Sequence, residues 1–199
     1  MERKNEELKN SKREIRSRVL TDRNRLDEET RKRAGILLTE RILGHQWFYR
    51  SDILLGFASY GSEINTYEIL GEALKTGKRV YLPKVLARAY GEPEMVFLRI
   101  YSLQELRLGY RGIPEPPEQA PVYRYADKEA EKTLMLMPGV AFDGYRNRIG
   151  YGKGFYDRYL TDKPALWVRT IAVGFQCQML EGGLPCGEED IRPYQIICV

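Results

Sequence analysis

Between Met137 and Leu160 the chain reads MPGVAFDGYRNRIGYGKGFYDRYL, and this stretch gathers the residue types from which a phosphate site is built. Gly139, Gly144, Gly150, Gly152 and Gly154 fall within 16 residues. Glycine lets backbone N–H groups turn toward an anion with no Cβ in the way. Arg146, Arg148, Lys153 and Arg158 supply positive charge around them. An apolar run, Thr133 to Met137, reads as a buried strand entering the segment, and Phe155 to Leu160 reads as a helix leaving it. Strand, glycine loop, cation and helix together form a general design for holding phosphate, because free N–H groups and helix dipole favour negative charge at one point. The spacing matches neither common nucleotide fingerprint: GxxxxGK[ST] is missing, with Phe155 rather than Ser or Thr after Lys153–Gly154, and GxGxG is not GxGxxG. Asp157 lies in the first turn of the helix. It either complements the helix dipole or holds Mg²⁺, which takes one or two carboxylates with phosphate oxygens and water.

The elements that must position this loop follow from hydrophobic spacing. Residues 3–20 are helix-prone, with Leu8, Ile15 and Val19 on one face. Asp27 caps a second predicted helix, with Leu26 as a hydrophobic staple, running to about Leu43 over Ala34, Leu37, Leu38, Arg41 and Ile42. Ile53 to Phe57 is a short apolar run of the buried-strand kind. Asn65 or Thr66 caps a helix over Tyr67 to Lys75, Gly77 ends it, and Val80 to Leu82 is the next strand, which makes a βαβ unit. Met95 to Ile100, Ile171 to Phe175 and Ile196 to Val199 are further strands. Ser102 and Glu105 have the spacing of a capping box for a short helix. Residues 113–121 hold Pro114, Pro116, Pro117 and Pro121 and read as a surface loop. Strands alternating with helices predict an α/β fold: one three-layer α/β/α domain over residues 1–199, with a mostly parallel central sheet.

Composition narrows the function class. At 199 residues, 43% hydrophobic, the chain can bury a core without disulfides or a structural metal. Cys177, Cys186 and Cys198 are odd in number and widely spaced, which argues against a disulfide framework or a zinc site. No run approaches the roughly 20 apolar residues of a membrane span, and the polar, mixed-charge N-terminus is no secretory signal, so a cytoplasmic monomer is the expectation. The net charge is +4. Residues 1–50 hold 14 Lys/Arg against 9 Asp/Glu, and the remainder holds 18 against 19, so the excess sits wholly in the N-terminal quarter. With no basic run interleaved with aromatics, nucleic acid is not the expected partner. His45, beside Trp47 and Phe48, reads as a packing residue.

The stretch PGVAFDGYRNRIGYGKGFYDRYL closely resembles the signature of the 5-formyltetrahydrofolate cyclo-ligase family, also called methenyltetrahydrofolate synthetases, which reads PG(L/V)(A/G)FD and then RLGxGxGYYD. SKREIR near the N-terminus is similar to the family's K-x-x-(L/I)-R element, SEINT to its (D/S)EI-x-T element, and LPK at 82–84 to its (I/L)P(R/K) strand end. The resemblance covers nearly the whole chain. It implies an enzyme that converts 5-formyltetrahydrofolate and ATP into 5,10-methenyltetrahydrofolate, ADP and phosphate, with Mg²⁺. It implies that Lys12, Arg13, Glu14, Ile15 and Arg16 lie by the ATP phosphates. Arg148, Ile149, Gly150, Tyr151, Gly152, Lys153, Gly154, Phe155 and Tyr156 would form the ATP loop, with Lys153, Arg148 and Tyr156 serving catalysis. Ala58 and Glu63 would take the pterin ring, and Tyr151 to Phe155 would face both substrates. Asp157 and Asp190 would hold the metal.

Three positions depart from the family pattern. Tyr151 replaces an Arg found in some members, Phe155 stands where Tyr is usual, and Tyr194 stands where a further acid is frequent. On residue chemistry alone two other readings stay open: a sugar-phosphate- or CoA-handling α/β enzyme that spends no ATP, and a module that binds folate or RNA.

Overall fold

The structure, a computed structural model, describes residues 2–87, 91 and 93–199. Its helices and strands follow in chain order as α1 (Glu2–Asn24), α2 (Glu28–Leu43), α3 (Gln46–Arg50), β1 (Ile53–Leu55), α4 (Tyr67–Lys75), β2 (Arg79–Leu86), β3 (Glu94–Ile100), β4 (Arg107–Leu108), β5 (Pro114–Glu115) and α5 (Asp127–Ala130). Then come β6 (Thr133–Met137), β7 (Ala141–Asp143), β8 (Arg148–Ile149), α6 (Phe155–Leu160), α7 (Pro164–Trp167), β9 (Thr170–Gly174), β10 (Met179–Leu180) and β11 (Gln195–Cys198). Six strands form the central sheet in the order β11-β9-β6-β1-β2-β3. All neighbours are parallel except β2 and β3. The α/β class and the mostly parallel sheet are as the sequence predicts.

Strand alternation divides the apolar residues between two faces. Leu54, Val80, Leu82, Leu134, Leu136, Ile171 and Val173 face α2 and α4, where Leu38, Ile42, Ile69 and Leu70 are fully buried. Ile53, Leu55, Met135, Met137 and Ala172 face Ala130, Leu160 and Leu166 of α5, α6 and α7. A third cluster lies outside these layers. Val19 of α1 packs with Val140, Ala141, Ile149 and Leu184, and Ile15 and Leu20 lean on it. That cluster is what lays α1 across the glycine segment.

The caps explain the helix starts. Asp27 accepts the Thr30 N–H at 2.7 Å, and Asn65 accepts the Tyr67 N–H at 2.9 Å. Thr66 spends its hydroxyl elsewhere, donating to Phe57 O at 2.6 Å and so tying the end of β1 to the start of α4.

Four expectations need correction. The Ser102–Glu105 pattern gives a 3₁₀ turn (Leu103–Glu105), with Glu105 taking the Tyr101 N–H rather than that of Ser102. The proline-rich segment is not all loop, since β5 pairs with β4 at its start. Strand β2 runs past Leu82 through Pro83, because pairing with β1 stops at Tyr81 and leaves Pro83 with one neighbouring strand only. A small second sheet, β10-β7-β8, sits inside and beside the glycine segment, where the sequence suggested only loop.

Candidate functional site

The site lies where the strand order reverses. From β1 the chain moves to β2 on one side, whereas β6, β9 and β11 build outward on the other. In open α/β sheets ligands bind at such a switch point, beyond the carboxyl ends of the strands. Beyond β1 runs the loop carrying Ala58 and Glu63; beyond β6 runs the glycine segment. Between them is a tight crevice, too narrow for a water-sized sphere, lined by Arg23, Phe57, Glu63, Pro138 and Gly139, among others.

The base of the glycine segment is fixed by one carboxylate. Asp143 is fully buried. Its Oδ1 accepts the backbone N–H groups of Tyr145 at 2.9 Å and Asn147 at 2.8 Å. Its Oδ2 accepts the Asn147 side-chain amide at 2.7 Å and the Leu184 N–H at 2.7 Å. Burial raises its pKa, but these donors outweigh it and hold the carboxyl below the usual range. Next, buried Arg148 pairs with Asp157 Oδ1 at 2.8 Å, and the same oxygen takes the Ile191 N–H at 3.1 Å. The loop then turns through Gly152 (φ 90) and Gly154 (φ 63), both left-handed conformations that a side chain would strain. Gly154 starts α6.

Helix α1 supplies cations to this loop. Arg16 Nε donates to Gly150 O at 2.6 Å. Lys12 pairs with Asp190 Oδ2, and that oxygen also takes the Gly187 N–H at 2.6 Å. Two turns beyond Arg16, buried Arg23 donates to the Tyr151 hydroxyl at 3.0 Å and to Ser62 Oγ at 3.0 Å. Tyr151 in turn donates to Glu63 Oε1 at 2.6 Å, and Glu63 Oε2 takes the Tyr60 N–H at 2.9 Å. Burial pushes the Glu63 carboxyl up, against the pull of Tyr151, Tyr60 and Arg23. The phenols of Tyr151 and Tyr156 are raised well above their ordinary range by burial and then by the charge of Glu63, so both are neutral. The Tyr156 hydroxyl is buried with no hydrogen-bond partner.

The expected site residues therefore divide. Lys12, Arg16, Glu63, Arg148, Tyr151, Asp157 and Asp190 are joined by the contacts above. Ile149 and Ile15 serve the third apolar cluster, and Ala58 is buried behind the crevice. Arg13 and Glu14 are exposed on α1, and Lys153 is exposed at the loop tip. Phe155 packs edge-on to Tyr110 with ring centres 6.2 Å apart. His45 is structural, capping α3 through the Trp47 N–H and bonding Gln195.

Sequence reasoning missed three residues here. Arg23 continues the stripe of Lys12, Arg16 and Val19 at helical spacing, a readable signal. Asp143 stands two and four residues before the amides it caps, the pattern of an Asx turn. Gln178, buried, donates to Gly139 O at 2.8 Å and Val140 O at 3.0 Å and accepts the Phe175 N–H at 2.9 Å. Nothing local in the sequence points to it.

A family model described as the 5-formyltetrahydrofolate cyclo-ligase family matches residues 8–199. The chain belongs to that family. As a member it is an enzyme of the cyclo-ligase class. A probable 5-formyltetrahydrofolate cyclo-ligase of Caenorhabditis elegans is 28% identical over 96% of this chain and 93% of its own. The 5-formyltetrahydrofolate cyclo-ligase of Escherichia coli K12 is 28% identical over 85% of this chain and 90% of its own. The solved 5,10-methenyltetrahydrofolate synthetase of Aquifex aeolicus superposes with a TM-score of 0.74 at 30% identity, over 92% of this chain and 86% of that one. Among the described residues of this cyclo-ligase, no helix is long and apolar enough to cross a membrane.

Proposed function

We propose that this enzyme cyclises 5-formyltetrahydrofolate to 5,10-methenyltetrahydrofolate, consuming ATP with Mg²⁺ and releasing ADP and phosphate through a phosphorylated formyl group. The observation that carries the reading is the convergence, at the switch point, of the cation-lined glycine loop and the Glu63 loop, clasped together by α1 through Arg16 and Arg23.

An N-formyl group is an amide and a poor electrophile. Transfer of the terminal phosphoryl group of ATP to the formyl oxygen turns that oxygen into a leaving group. The second folate nitrogen then attacks the carbon, the ring closes, and the oxygen departs with the phosphate. Placement and charge stabilisation are the protein's contributions to such a transfer. Arg16 and Lys12 of α1 would border the polyphosphate. The exposed Lys153 and the amides of residues 150–154 would meet charge growing on the transferred group. Carboxylate Glu63 would accept the paired N–H donors of the pterin, and the Tyr60 N–H fixes its orientation.

Among the described residues no three His, Cys, Asp or Glu side chains form a metal cluster. That suits Mg²⁺, which needs one or two carboxylates once phosphate supplies the other oxygens. Asp157 fits, being held through Oδ1 by Arg148 and the Ile191 N–H. Asp190 would assist on release from Lys12. The metal would supply neutralisation of the polyphosphate. The intracellular medium, with free thiols and ATP, is the proposed setting, and the monomer the proposed form.

The decisive test is purified protein with 5-formyltetrahydrofolate, ATP and Mg²⁺, following methenyl absorbance. With ¹⁸O in the formyl group, the label should emerge in inorganic phosphate. Product without label in phosphate would remove the phosphorylated formyl step, and no product would remove the reading.

A further inference from the structure

We propose that Tyr151 is a latch on the folate side of the site: its phenol engages the carboxylate the pterin must reach, and substrate enters by exchanging that phenol for its own N–H donors. The exchange rests on the reading of Glu63 as the pterin acceptor; the latch itself rests on geometry alone.

Three elements meet at one hydroxyl. Tyr151 OH, from the glycine loop, donates to Glu63 Oε1 at 2.6 Å, in the loop after β1. Arg23, from α1, donates to the same hydroxyl at 3.0 Å and is anchored on Ser62 at 3.0 Å. Arg23 is 3% exposed, whereas Tyr151 keeps 47% of its surface in solvent. The anchor is therefore buried, and the latch can swing outward without breaking a core. Gly150 and Gly152 flank Tyr151, and Gly152 already holds φ 90, so the backbone on either side offers freedom for that swing.

Size makes the swing necessary. The crevice beside Glu63 has no room even for a water-sized sphere, whereas clefts that enclose small ligands hold roughly 300–1,000 Å³. With Glu63 lining that crevice and tied to Tyr151, a pterin carrying a benzoyl-glutamate tail has no place at the carboxylate. The chemistry of the exchange is balanced. Glu63 loses one O–H donor and gains two N–H donors, while the Tyr60 N–H stays on Oε2. Arg23, retained on Ser62, keeps a cation beside the carboxylate, whose charge burial opposes. A phenol at this position thus sets how easily folate enters and contributes little to phosphate binding. Where a relative carries Arg instead, the same position would hold an ion pair with Glu63 and a different entry cost.

The test is Tyr151→Phe, which keeps the ring and removes the donor. Without ligands, trypsin cleavage at the Lys153–Gly154 bond, followed by mass spectrometry, reads the freedom of the loop. Loss of one hydrogen bond to a charged group should raise that cleavage by about ten- to a hundredfold. Stopped-flow association of 5-formyltetrahydrofolate, without ATP, should quicken by a similar factor, while the KM for ATP moves by less than about twofold. Unchanged cleavage overturns the latch. Slower folate association or weaker folate binding shows that the phenol is a direct substrate contact and overturns the exchange. If wild-type enzyme forms no methenyl product and binds no folate, the reading of Glu63 fails and the exchange with it; the cleavage rates still judge the latch.

Discussion

The two ends of the glycine segment are built on opposite principles. At its base, Asp143, Asn147 and Arg148 are buried, and Asp143 meets N–H donors on both oxygens. At its tip, Tyr151, Gly152 and Lys153 are exposed, held by the Tyr151 phenol on Glu63 and by Arg158, which donates to Lys153 O at 2.8 Å. A polar network away from water stiffens a fold when every member is satisfied and weakens it when one is not. The base follows the first half of that rule at Asp143, while Asn147 Oδ1 and Arg148 Nε are buried without hydrogen-bond partners. At the tip the Tyr151 hydroxyl is engaged, and Lys153 has no ion pair among the described residues. The contrast teaches where the buried frame ends and the proposed ligand contact begins, between Arg148 and Tyr151.

The largest expected effect lies at the tip. Lys153→Ala should lower kcat by about 10²- to 10³-fold, the usual loss for one donor to a developing charge, with a smaller change in folate affinity and in melting temperature. Steady-state rates near wild type would move the transferred phosphate away from the tip. The base should answer with stability instead. Asp143→Ala strands N–H groups of Tyr145, Asn147 and Leu184 and should cost on the order of 3 kcal/mol, a fall of roughly 6–12 °C in melting temperature for a chain of this size. The pH dependence has a definite sign. The folded carboxyl is depressed below its unfolded value, so its contribution is present above about pH 4 and is lost as pH falls through the folded pKa. Melting curves of wild type and variant should therefore separate at pH 7 and draw together as pH falls through the folded pKa.

The same contrast explains what was legible in the sequence. Alternation and apolar runs revealed all six strands of the central sheet, because Leu134 to Met137 or Ile171 to Val173 can only be buried on both faces. The glycine spacing revealed the tip, since Gly152 and Gly154 need conformations that other residues avoid. The base was harder. Its small sheet rests on two-residue pairings such as Phe142 with Arg148, too short to leave a periodic trace. Gln178 reaches Gly139 across 39 positions, and such a partner has no local signature. Arg23 was masked by its charge: a cation near the end of a long polar helix normally faces water, and here a phenol and a serine draw it inside. Family resemblance located Glu63 and Asp190, but their present partners, Tyr151 and Lys12, follow only from the fold.

A smaller effect should separate the two substrates. Glu63→Gln keeps the shape and removes the charge that would receive the pterin. Hydrogen bonds to charged groups contribute about 1.5–3 kcal/mol, so folate dissociation constants should rise by roughly ten- to a hundredfold, with the KM for ATP nearly fixed. Equal losses for both ligands, by calorimetry, would mean that Glu63 shapes the whole cleft rather than one side of it.

The smallest effect comes from the same substitution and has the opposite direction. Burial raises the Glu63 carboxyl above its ordinary pKa, in spite of Tyr151, Tyr60 and Arg23. A carboxyl raised on folding lends stability below its unfolded pKa, and that contribution disappears as pH climbs through the folded value. Glutamine carries no such loss. Wild type and Glu63→Gln should therefore melt alike near pH 4, and the variant should gain on wild type toward pH 7, on the order of 0.5 kcal/mol as for most changes at part-exposed sites. A variant that binds folate worse while resisting heat better would mark Glu63 as a group kept charged for its ligand. If the curves stay parallel across that range, the clasp of Tyr151 and Arg23 already compensates the charge, and the tip is more firmly built than its exposure suggests.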